Sequence, residues 1–265
     1  MGLGGHLTWT SVARELVKLH SSAYCKCVVL PIENGTICNS VIFKNNPNFT
    51  NIDSLNATKL NLSNVDTCYT RKIENNKVVH RYDKHMIEQI YDYYGIKDAE
   101  LKCELYFTDD EEAKADLLVT ELPETFVTIE PHSKTSFTVN NEYSFDKWQT
   151  VVNALKNKYT FVQIGEAGKP ILEYAIDFTG QTTFREAACL IGHSKLFVGT
   201  VSGLMHAANA VETKAIIVVT GYQDPILACY SENTNINIAT HGPCGCLTAC
   251  KLCANDIKNH DESAI

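Results

Sequence analysis

Between Phe126 and Val219, short apolar runs alternate with amphipathic stretches, and this alternation decides the fold class. Residues 126–130, 160–164, 175–177, 196–198 and 215–219 have the length and apolar content of buried strands. Residues 145–156, 183–191 and 202–211 lie among them and repeat apolar side chains at helical spacing. In the first of these, Trp148, Val151, Val152 and Leu155 share one face. Strands joined through helices run parallel, so the expectation is an α/β chain with a parallel sheet covered on both faces. Ligands on such sheets sit at the carboxyl ends of the strands, beside helix N-termini.

The first half is less regular. A helix is expected over 7–19, with Val12, Leu16 and Leu19 on one face, entered from a glycine-rich loop at Gly2, Gly4 and Gly5. Strands are expected at 27–32, 40–43 and 100–107, and helices at 85–94, stopped by Gly95, and at 109–115. The Asn-rich tract over 44–64 reads as loops and short strands, either plainly solvated or in contact with an acceptor glycan. Glu121-Leu-Pro-Glu reads as a linker and divides the chain into domains 1–122 and 123–265.

Composition excludes several classes. A net charge of −8 argues against broad nucleic-acid binding, which needs clustered Lys and Arg. No run reaches the roughly 18 apolar residues of a membrane span, so no integral membrane segment is expected. The start lacks the basic and apolar regions of a signal peptide, and the expected location is cytoplasmic. There, Cys25, Cys27, Cys38, Cys68, Cys103, Cys189 and Cys229 read as small buried hydrophobes.

Two segments carry chemistry. In Phe197-Val-Gly-Thr-Val-Ser-Gly-Leu-Met-His, a strand runs into a turn and a helix whose first N–H groups face outward. Ser202, Gly203, Leu204 and His206 could hold an anion there, and a simple capped turn fits the pattern equally well. It is neither a dinucleotide fingerprint nor a Walker loop. The second segment places Cys244, Cys246, Cys250 and Cys253 within ten residues. Such spacing suits a tetrahedral metal, reduced thiols or disulfides.

Val201-Ser-Gly-Leu-Met-His-Ala-Ala, the preceding Thr182-Thr-Phe-Arg-Glu-Ala-Ala-Cys and the loop Glu130-Pro-His-Ser-Lys-Thr-Ser resemble the bacterial heptosyltransferase type of glycosyltransferase. Gly2-Leu-Gly-Gly-His-Leu resembles that family's opening turn. The resemblance implies a GT-B fold, two Rossmann-like domains with a cleft between them, here with a reduced N-terminal, acceptor-side domain. It implies transfer of a sugar from a nucleotide-sugar, ADP-heptose among the candidates, to a hydroxyl of a saccharide, protein or lipid acceptor. Lys134, Thr182, Ser202, Gly203, Leu204 and His206 would then hold the donor, with Arg185 either a ligand or a structural ion pair.

Where the family has its acidic base this chain has Gly5, so the neighbouring His6 becomes the candidate base, the other reading being a solvated loop histidine. Val201 stands where the family has Asp or Glu. These departures keep open a nucleotide-sugar-binding protein with impaired catalysis, or an epimerase or hydrolase on the same fold. Related autotransporter heptosyltransferases carry a Cys-bound iron, which implies Fe or Zn at the four clustered cysteines.

Overall fold

A computed structural model describes residues 1–23, 25–63 and 72–265; Cys68 and the last residue of the Asn-rich tract, Asn64, lie outside them. The first half holds helix α1 (Leu3–His20), strands β1 (Val28–Glu33), β2 (Thr36–Ile37), β3 (Ala57–Asn61), β4 (Lys72–Glu74) and β5 (Lys77–Val79), and helices α2 (Met86–Tyr94) and α3 (Asp109–Val119). The second half begins with β6 (Phe126–Ile129), α4 (Phe145–Leu155), β7 (Thr160–Gln163), β8 (Ala175–Asp177) and α5 (Phe184–His193). It ends with β9 (Leu196–Thr200), α6 (Gly203–Ala210), β10 (Ala215–Val219), α7 (Pro225–Ala228), β11 (Thr234–Asn237) and α8 (Lys251–Asn259).

Six strands form one sheet in the order β11-β10-β9-β6-β7-β8, every pairing parallel. The chain winds outward from β6 through β7 to β8, then crosses back to β9 on the other side of β6 and winds outward again. The strand order therefore reverses between β6 and β9, where the two adjacent crossovers leave to opposite sides and open a crevice. The expected mixed α/β fold with a parallel sheet is what the chain adopts.

Apolar side chains cover both faces of the sheet. One cluster joins Val127, Ile129, Trp148, Val152, Phe161, Val198 and Val218. The other runs without a break from Leu7, Trp9, Val12 and Leu16 of α1 and Ile87 and Ile90 of α2 into Leu190, Met205, Ala207 and Ile217 of the second half.

Four local expectations are corrected. The glycines before residue 7 are not a loop: α1 begins at Leu3. A Cβ on Gly4 would lie 2.9 Å from the Gly203 Cα, so the first turns of α1 and α6 meet backbone to backbone. Residues 41–43 form a single 3-10 turn, with the Ser40 hydroxyl accepting from the Ile42 N–H, rather than a strand. Residues 100–107 pair with no strand. Side chains satisfy their backbone instead: the Cys103 N–H donates to Asn209 Oδ1 and the Glu104 N–H to Thr10 Oγ1, both at 2.8 Å, while Arg14 donates to the Lys102 carbonyl. Cys25, finally, is exposed on the connection between α1 and β1, whereas Cys27, Cys103 and Cys189 are buried as expected.

Candidate functional site

At the crevice between β6 and β9 lies a cavity of about 320 Å³. Leu3 of α1 and Gly203 and Leu204 of α6 form one wall. Thr182, Thr183 and Phe184 at the start of α5 form another, with Gly165 and Glu166 from the loop after β7 beside them. Glu130, directly after β6, also lines it. Of the three bordering helices, α5 and α6 begin with side-chain caps. The Ser202 hydroxyl accepts from the Met205 N–H, and Thr183 and Glu186 cap each other's N–H groups at α5. The remaining N–H groups of each first turn lie beyond the reach of intrahelical acceptors, a setting that favours an anion.

Of the expected donor residues, Thr182, Gly203 and Leu204 line this cavity, and Ser202 reaches it through Glu130. The Ser202 hydroxyl donates to Glu130 Oε2 at 2.5 Å. Burial, reinforced by the charge of Glu166 and only partly offset by Ser202, pushes the Glu130 carboxyl up to about 7.

His206 and Lys134 sit elsewhere. His206 is buried and shares a 2.6 Å hydrogen bond between its Nδ1 and the Tyr230 hydroxyl, which lies 3.2 Å from Cys103 Sγ. Burial, aided by His85, drives its pKa down to about 3, so the ring is neutral and belongs to the packing of α6. Lys134 is exposed on the loop after β6 and does not line the cavity.

Arg185 resolves as an ion pair. It is buried, and its Nε and Nη2 each donate to a Glu111 oxygen at 2.8 Å, while Nη1 and Nη2 also donate to the Val41 and Tyr106 carbonyls.

His6 is a buried helical residue, not a solvated loop one. Its Nε2 lies 3.1 Å from Glu33 Oε2, and Cys38 Sγ is 3.8 Å from the same nitrogen. Burial lowers its pKa more than Glu33 raises it, so the ring is neutral at pH 7. With Nε2–H donated to Glu33, Nδ1 is the basic atom; it is enclosed by protein and has no partner. Beside Cys38 a second concavity of about 460 Å³ is lined by Asn39, Asn45, Asn46 and Asn51 and by Phe43 and Phe49, whose rings stack at 4.1 Å. Part of the Asn-rich tract thus forms a polar pocket with an aromatic wall.

In the C-terminal segment, Cys244, Cys250 and Cys253 bring their sulfur atoms within 4.8 Å of one another. Cys246 instead turns its thiol to the Cys244 carbonyl, 3.5 Å away. His241, which the spacing of cysteines could not reveal, places Nε2 3.8 Å from Cys253 Sγ and 3.2 Å from Asp256 Oδ2. Burial raises the Cys250 thiol, but N–H groups of Cys253 and Leu252 and the neighbouring thiols outweigh it and bring it to about 7. A Cβ on Gly221 would lie 2.6 Å from the His241 ring and 3.1 Å from Cys253 Sγ, so this wall admits no side chain.

The family model described as glycosyltransferase family 9 (heptosyltransferase) matches residues 56–253, about three quarters of the chain. Among solved structures, a family 9 glycosyl transferase from Veillonella parvula superposes with a TM-score of 0.67 at 13% identity, covering 89% of this chain and 82% of that one. The iron-containing dodecameric glycosyltransferase TibC from enterotoxigenic Escherichia coli gives 0.63 at 20% identity, covering 92% of this chain and 64% of that one. The E. coli ADP-heptose lipopolysaccharide heptosyltransferase II gives 0.51 at 15% identity, covering 68% and 59%. The chain therefore spans less than two thirds of the length of the two E. coli enzymes. No curated protein sequence matches it. No helix among the described residues is long and apolar enough to cross a membrane.

Proposed function

The chain belongs to glycosyltransferase family 9, the heptosyltransferases, and from that premise we propose that it transfers a glycosyl group from a nucleotide-sugar held at the β6–β9 crevice. The observation that carries this reading is the cavity itself, set where the strand order reverses and bordered by the first turns of α5 and α6. Charge builds on the leaving diphosphate in such a transfer, and N–H groups fixed at two helix starts stabilise it without reorganising. Thr182, Ser202, Gly203 and Leu204 are the donor contacts; Lys134 joins them only if its loop swings inward.

In this reading residues 123–265 bind the donor and residues 1–122 the acceptor, as two halves of a GT-B pair with a small N-terminal member. ADP-heptose is the first donor to try, because a TibC structure holds ADP-D-beta-D-heptose. The acceptor hydroxyl, on a saccharide, protein or lipid, would approach from the Asn-lined pocket, whose amides and stacked rings suit a polyol. His6, oriented by Glu33, is the proposed base, accepting the proton at Nδ1 once acceptor entry opens a path to it. The enclosure of that atom favours a second reading, a protein that binds donor without transfer.

Calorimetric titration with ADP and ADP-heptose tests the donor site, and product analysis with added acceptors separates the two readings. Saturable binding with turnover supports transfer. Binding without turnover supports the second reading, and no binding of either nucleotide sinks both.

The three converging thiols could supply three sulfur ligands to zinc or iron, and His241, whose Nε2 is 3.8 Å from Cys253 Sγ, is the candidate fourth once its ring turns towards them. A metal there would serve structure, fastening the start of α8 to the segment after β11. Elemental analysis should find about one metal per chain; Cys253→Ser should lose most of it, and Cys246→Ser should keep it. Equal loss in both variants would restore the all-cysteine set.

A further inference from the structure

We propose that Glu130 is a specificity-determining residue of the donor site, its carboxyl accepting a hydroxyl group of the nucleotide-sugar. This rests on the reading of the crevice as a donor site. The side chain is placed with little freedom. The Glu130 N–H continues the β6 ladder by donating to the Val198 carbonyl, and Oε2 is held by Ser202, which at the same time caps α6. Among the described residues nothing hydrogen-bonds Oε1. The residue is only partly covered, and the cavity is what it faces.

The surroundings tell which chemistry would fit. Among the described residues no Lys or Arg lines the cavity. Opposite Glu130, α1 presents Leu3, α5 presents Thr183 and Phe184, and α6 presents Gly203 and Leu204, none of them titratable; the loop after β7 adds a second carboxyl, Glu166. A part-buried carboxylate facing a cavity without a counter-charge is unfavourable unless a bound group donates to it. Ionised, it can only accept. A diphosphate is repelled by it and is left to the helix starts. Hydroxyl groups, neutral and able to donate, are what the free oxygen selects, and they belong either to the glycosyl group or to the ribose.

The raised pKa adds a sign. A donated hydroxyl favours the ionised carboxyl, so binding should release protons and tighten as pH rises through about 7. A phosphate lodged against Glu130 would do the opposite.

The test compares wild type with Glu130→Gln, titrating ADP, 2′,3′-dideoxy-ADP and ADP-heptose in two buffers of different ionisation enthalpy. The neutral variant keeps the shape and the Ser202 contact. It should weaken ADP-heptose by about 10- to 100-fold, the range of a lost hydrogen bond to a charged group. A loss confined to ADP-heptose assigns a glycosyl hydroxyl, and a loss shared with ADP but absent for 2′,3′-dideoxy-ADP assigns the ribose. In either case the ligand-free variant should melt higher than wild type at pH 8, because an enclosed charge has been removed, whereas a purely structural carboxylate would leave it melting lower. Unchanged affinity, equal loss for all three nucleotides, a lowered melting temperature, or proton uptake on binding overturns the proposal. Failure of wild type to bind any of the three overturns the donor-site reading itself.

Discussion

Arg185→Ala should destabilise the fold by about 2–3 kcal/mol, because Glu111 loses its paired donor, keeping only the more distant Lys44 and the Thr108 N–H, and two carbonyls lose their partner. Glu111 is held at about 2, chiefly by the two hydrogen bonds from Arg185, with burial opposing and the Thr108 N–H assisting. The same guanidinium satisfies the Val41 and Tyr106 carbonyls, which lie on the far side of the 122/123 division from α5. Lysine cannot reproduce the paired donation to Glu111, so Arg185→Lys should recover little. Because the folded-state pKa of Glu111 lies below its ordinary value, the contribution is full above about pH 4.5 and disappears as pH falls towards about 2. Urea melts from pH 7 down to pH 3 should therefore show a steeper loss in wild type than in the alanine variant, which keeps the slope of Glu15, Glu33 and Glu186. If the variant at pH 7 were within 1 kcal/mol of wild type by the same melts, the pair would be dispensable.

The second large effect is at Gly4. In an isolated helix Gly4→Ala would stabilise by about 1 kcal/mol through reduced backbone entropy. Here the new methyl would stand 2.9 Å from the Gly203 Cα and 3.2 Å from the His206 ring. Backbone cannot rotate aside as a side chain can, so α1 and α6 must part. Overpacking of this kind costs about 1–3 kcal/mol, and Gly4→Val should exceed the alanine loss. Leu3 and Gly203 line the same cavity, so donor affinity should fall with stability. A thermal melt decides the sign: if Gly4→Ala raised the melting temperature, the close crossing of the two helices would be wrong.

Much of the second half is legible from periodicity alone. The expected segment 145–156 is α4 almost residue for residue, and 215–219 is β10. These elements bury one continuous face, which the spacing of apolar residues records. The missed ones lack that record. β11 reads Thr-Asn-Ile-Asn at the sheet edge, where half the side chains meet water, and α8 buries only Cys253 and Asp256. Residues 100–107 alternate as a strand does, but whether a neighbour offers a ladder or a few side chains is not written locally. Asn34-Gly35 and Asn75-Asn76, each with positive φ, are turn signals that announce the β1–β2 and β4–β5 hairpins, although the strands they join are only two to six residues long.

In the site, the turn around Ser202 was readable because capping chemistry is local. The pairing of His206 with Tyr230 was not readable, because the two are 24 residues apart and meet only in the tertiary fold. Glu130 carries one local sign: it is a carboxylate directly after the first strand of the parallel sheet, where backbone ends and crevice begins. His241 had no such sign, since its link to Cys253 depends on the bend after β11.

The meeting of α1 with α6 also bears on how the chain is made. Leu7, Trp9, Val12 and Leu16 are synthesised about 200 residues ahead of their partners on α6. At about 5–20 residues per second, that apolar stripe waits on the order of 10–40 seconds for its seat. Contacts so distant in sequence also close slowly once both segments exist. A nascent chain of this kind is a natural client for chaperones that shield amphipathic helices, and slower translation through the second half would lengthen its exposure.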